Sequence, residues 1–78
     1  MTNEKILKTI KETRQLYLNE KNLAVTKLSK ELSNLTSSQV QQEMIFIADM
    51  ESRAYALTLL IEDLEDLIED DIEEDEEE

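Results

Sequence analysis

Carboxylates are the side chains of this chain with the greatest chemical capacity. Thirteen of its twenty acidic residues stand in the last 17 positions, Glu62 to Glu78. Three chemistries suit such crowding: cation binding, proton transfer between paired carboxyls, and attraction of a basic surface. A calcium loop needs a turn glycine and a fixed ligand order, and the chain has no glycine. Acid–base work by paired carboxyls needs a pocket that separates their pKa values, which a solvated helix face does not offer. Histidine and cysteine are also absent, which removes the commonest general base, the thiol nucleophile and the usual zinc ligands. The expectation is therefore a protein with no catalytic residue, no metal site and no cofactor. It is a binding protein rather than an enzyme. What remains is electrostatic attraction.

The charge is confined to one end. Residues 1–61 hold all 8 basic residues and 7 acidic ones, while residues 62–78 hold 13 acidic residues and no basic one, within a net charge of −12 for the 78-residue chain. If helical, that segment carries about one charge per 2 Å, from a rise of 1.5 Å per residue. Duplex DNA carries one per roughly 1.7 Å. Such a field draws in basic proteins quickly and in a salt-dependent way.

The element that positions these carboxylates is legible from apolar spacing. At about 100° per residue, Ile6, Leu7, Ile10, Tyr17, Leu18, Ala24, Val25, Leu28, Leu32 and Leu35 fall in one arc. Arg14 and Lys21 share that arc, with stems that can cover apolar surface and heads that reach water. Val40, Phe46, Ile47, Met50, Ala54, Leu57, Ile61, Leu64, Ile68 and Ile72 form a second arc. Between them, Thr36 and Gln39 stand at capping-box spacing, flanked by Leu35 and Val40 at staple positions. Without glycine or proline, this Ser/Thr/Asn cluster is the credible turn, with Asn34 the best candidate for a left-handed stop.

The expected fold is all-α: an antiparallel two-helix hairpin over residues 1–70, with helix 1 over about 3–33, a turn at 34–36 and helix 2 over about 37–70. Residues 71–78 are expected to form a disordered acidic tail, because like charges repel and no apolar contact offsets the ordering cost. If the turn centres near Leu35, residues whose numbers sum to about 70 lie level, which sets Lys5 and Lys8 beside residues 62–65. Helix 2 has a second apolar face at Met44, Ile45, Ala48, Tyr55 and Leu59, and helix 1 has Leu16 and Leu23 off its main arc. These seven are the expected dimer interface, through which two hairpins would make a four-helix bundle. An isolated hairpin of this size is marginal, which favours the same expectation.

The N-terminal stretch has no apolar run of signal-peptide length, and the longest later run, Ala54 to Ile61, falls far short of a span of about 20 residues. A cytoplasmic location with no membrane partner is expected. Direct nucleic-acid binding is not, because acidic residues interleave the lysines of helix 1 and the chain has only three aromatic residues. In its size, its hairpin pattern and the block from Glu62 to Glu78, the chain resembles the general class of small acidic proteins that phages make to disable host DNA-binding proteins. The resemblance implies a DNA mimic that inhibits a basic DNA-binding protein: a sliding clamp, a histone-like nucleoid protein, a polymerase or a nuclease. Its partner-binding surface would be Glu62, Asp63, Glu65, Asp66, Glu69, Asp70, Asp71 and Glu73. The competing expectation is a homodimeric structural or adaptor protein whose apolar face binds a partner helix, with an incidental acidic tail.

Overall fold

The computed structural model describes residues 2–77, with side chains from 2 to 69. Helix α1 spans Asn3–Glu31, a 3₁₀ turn follows at Leu32–Asn34, and helix α2 spans Ser37–Glu77. The helices pack against each other as a hairpin, and there is no strand among the described residues. The rod measures 64 × 18 × 14 Å.

Local chemistry accounts for each helix end. The Thr2 hydroxyl accepts a bond of 3.2 Å from the Lys5 N–H, capping α1. Glu4 in the first turn and Lys30 in the last complement the helix dipole. At the other end, the capping box of α2 forms in both directions. The Gln39 N–H donates to the Thr36 hydroxyl at 3.2 Å, and the Thr36 N–H donates to the Gln39 side-chain oxygen at 2.9 Å. Leu35 and Val40 beside it are both half-buried. Removing this cap with Thr36→Ala should lower stability by roughly 1 kcal/mol, read from thermal unfolding.

The left-handed stop expected at Asn34 does not occur. No residue has positive φ among the described residues. The chain instead tightens into the 3₁₀ turn, Leu35 becomes extended at φ −99 and ψ 147, and its N–H donates to the Leu32 carbonyl at 3.4 Å. A 3₁₀ turn satisfies the late carbonyls without forcing a side-chain-bearing residue into a costly conformation.

The core is narrow. Ala24, Met50, Ala54 and Ile61 are its buried residues, and no large side chain is fully buried among the described residues. Ala54 lies almost level with Tyr17, the ring of which is met by Arg53. Most of both expected stripes is half-buried, but Val25, Leu32 and Phe46 are exposed. One partner helix covers a seam, and residues at the edge of a wide apolar arc fall outside it.

The Arg14 head, expected to reach water, also bonds across the hairpin. Its Nη1 donates to the Thr58 hydroxyl at 3.3 Å, and that hydroxyl donates to the Ala54 carbonyl at 3.0 Å. Its Nε is buried and has no hydrogen-bond partner among the described residues. A desolvated polar atom without a partner costs free energy, and an apolar replacement of similar shape removes that cost. Arg14→Met should therefore leave the melting temperature unchanged or raise it, whereas Thr58→Ala, which orphans the guanidinium further, should lower it.

Candidate protein interaction site

The carboxylate end is built by apolar anchors. Ile61 is buried and Leu64 and Ile68 are half-buried, so this length of α2 lies on α1. Their spacing rotates the intervening positions outward, and Glu62, Asp63, Glu65, Asp66 and Glu69 are all exposed. The side chains of Asp70, Asp71 and Glu73 lie outside the described residues. So do those of the expected tail 71–78, although the helical backbone of α2 runs to Glu77, past the boundary expected at residue 70. A shallow groove at this end is lined by Leu7, Ile68, Glu65 and Glu69.

Glu65 pairs with Lys11 at 3.5 Å, both half-exposed, so the pair is worth about 0–1 kcal/mol. The pairing expected at Lys5 and Lys8 is not found among the described residues. Side-chain slant explains the shift. The contacting numbers sum to 70 at Tyr17–Arg53, 72 at Arg14–Thr58 and 76 at Lys11–Glu65. Helices of equal rise keep one register, but each side chain leans toward the N-terminus of its own helix, so the long Lys11 and Glu65 side chains converge from positions that are not level. No three acidic residues converge to hold a metal ion among the described residues.

Halfway along the rod, the Arg53 guanidinium lies 5.7 Å from the centre of the Tyr17 ring and donates to Asp49 at 3.3 Å. Its pKa is raised by the Tyr17 side chain first and by Asp49 second. This contact pins one flank of the hairpin, and Lys11–Glu65 marks the other.

The expected interface residues are all exposed: Ile45 at 70%, Leu23 at 66%, Tyr55 at 64%, Leu16 at 63%, Met44 at 57% and Leu59 at 46%, with Ala48 alike. They do not fall on one side. At about 100° per residue, Met44, Ala48 and Tyr55 turn towards the Lys11–Glu65 flank, with Ile45 and Leu59 on the outer edge of α2. Leu16 and Leu23 turn to the Tyr17–Arg53 flank. Sharing a height along the hairpin does not mean sharing a face. Leu60 and Leu67, not among the residues singled out for the interface, are also exposed, at 43% and 55%. The outward offset of each from the Ile61, Leu64 and Ile68 line is the signal that marks them in the sequence.

No helix among the described residues is long and apolar enough to cross a membrane. In comparisons with known proteins, the chain matches no family model, no curated protein and no solved structure.

Proposed function

We propose that the protein is a dimeric acidic inhibitor that occupies the DNA-binding surface of a basic protein in the cytosol. The observation that carries this reading is the exposed row Glu62, Asp63, Glu65, Asp66 and Glu69, held outward by the anchoring of Ile61, Leu64 and Ile68. Only Glu65 is paired with a basic side chain among the described residues, so the row retains its field. A rigid, closely spaced line of negative charge competes for the groove that a phosphate backbone fills. Dimerisation through the apolar face of α2 supplies the burial that the narrow core lacks. Two hairpins then join as a four-helix assembly.

A second reading is supported by the same apolar face. If it takes a helix of a different protein, the chain is an adaptor and the carboxylates only solvate it. Immobilised chain exposed to bacterial lysate and washed in steps of salt separates the two. Under the inhibitor reading, basic DNA-binding proteins elute at moderate salt and are not retained by a Glu62→Lys, Asp66→Lys, Glu69→Lys variant. A partner held equally by both baits through high salt supports the adaptor and rejects the inhibitor.

A further inference from the structure

One exposed line of α2 changes character along its length. Ile45, Ala48, Ser52, Tyr55 and Leu59 follow each other at spacings of three or four residues, and all are exposed. The same spacing continues through Glu62, Asp66 and Glu69, also exposed, and starts earlier at Gln41. This is the spacing of a coiled-coil seam, with apolar residues in the middle, carboxylates at one end and an uncharged polar residue at the other.

The seam is complementary to itself in one direction only. In a parallel pair, Glu62, Asp66 and Glu69 would each face its own copy, and like charges at a seam repel. In an antiparallel pair centred on Ser52, Ile45 meets the partner copy of Leu59 and Ala48 meets that of Tyr55. Glu62 then meets Gln41, and Asp66 meets Ser37 and Ser38 in the first turn of α2. That turn is the positive end of the helix dipole, and its Ser37 and Ser38 N–H groups are not taken by the capping box, which uses those of Thr36 and Gln39. Ser52 on the axis is small enough for the two helices to approach closely.

We infer that the occupant of this face is a second copy of the chain, with the two α2 helices antiparallel and the two-fold axis beside Ser52. This orientation rests on the proposed dimer and refines it. It has a functional consequence. The two carboxylate ends point in opposite directions, with Asp66 and its copy about 42 Å apart along the axis at 1.5 Å per residue. Glu62 and Asp66 then lie along the seam, and Asp63, Glu65 and Glu69 are left to face a partner at each end, so the dimer is bivalent and takes two basic sites rather than one long groove.

The chain contains no cysteine, so single introduced thiols report on contacts directly. Gln41→Cys chain is mixed with Glu62→Cys chain in a mild glutathione redox buffer, and the mass of the unmodified chain is measured by sedimentation. A disulfide forms only when the two Cα atoms lie within about 7 Å. The expected result is a dimer mass, a mixed disulfide as the dominant product, and homodisulfides at background. Ser52→Cys alone should self-link. A dimer mass with homodisulfides at 41 and 62 overturns the orientation and leaves the dimer standing. A dimer mass with none of these disulfides overturns the choice of face. A monomer mass overturns both the orientation and the dimer.

Discussion

Tyr55→Asp or Leu59→Asp is expected to convert the proposed dimer to monomer at micromolar concentration while leaving the hairpin helical. Both residues are exposed on the isolated hairpin, at 64% and 46%, so a carboxylate there disturbs the monomer by no more than about 0.5 kcal/mol. In the dimer the same carboxylate is desolvated against Ala48 or Ile45 of the second copy, with no basic residue on that line of α2. Each dimer carries two such sites. A cost of about 3 kcal/mol or more per dimer weakens Kd by roughly 10²-fold or more. Sedimentation and circular dichroism together read the outcome. An unchanged mass would remove α2 from the interface.

The triple substitution Glu62→Lys, Asp66→Lys, Glu69→Lys is expected to abolish binding of the proposed partner and to keep the helix. It changes the formal net charge from −12 to −6 and reverses the sign at three exposed sites along a single line. Steering by a clustered field raises association rates by about 10–10³-fold, and that gain is lost when the cluster is broken. Helix content is retained because the three exposed side chains are not part of the core, and the lysine introduced at position 69 gains an i,i+4 partner in Glu65. Titration calorimetry at low ionic strength measures the loss, with circular dichroism as the control for folding and sedimentation as the control for assembly, because Glu62 and Asp66 also lie on the proposed seam. Full affinity at low salt would exclude electrostatic recognition by this segment.

Much of the hairpin is readable in the residues, for identifiable reasons. Thr36 and Gln39 stand at capping-box spacing in a chain with no glycine or proline, so competing turns are few, and both bonds of the box form. Ile61, Leu64 and Ile68 mark the buried side of the acidic segment, which fixes the outward side of Glu62, Asp66 and Glu69. Other features depend on tertiary geometry. Asn34 is a sound local choice for a left-handed stop, but the 3₁₀ turn closes the helix without one. Arg14 reads locally as a stem with its head in water, yet Thr58 on the facing helix stands within reach of its guanidinium. The Lys11–Glu65 pair depends on the slant and reach of two long side chains, which a level count of positions does not contain. Leu16 and Leu23 share a height with Tyr55 and Ala48 but not a side, because height comes from rise and side from rotation. The carboxylate surface is legible as composition; its use by a partner is chemistry that only a partner can report.

The proposal that the acidic end competes with DNA is tested most directly by displacement. A fluorescent duplex is bound to each purified protein of a panel comprising a sliding clamp, a histone-like nucleoid protein, a polymerase and a nuclease. The chain is then titrated in at a series of salt concentrations. The predicted result is release of the duplex from at least one of them, weakening as salt rises and lost with the triple lysine variant. Retention of the duplex by every member at low salt, or release that is equal for the wild type and the lysine variant, would contradict DNA mimicry.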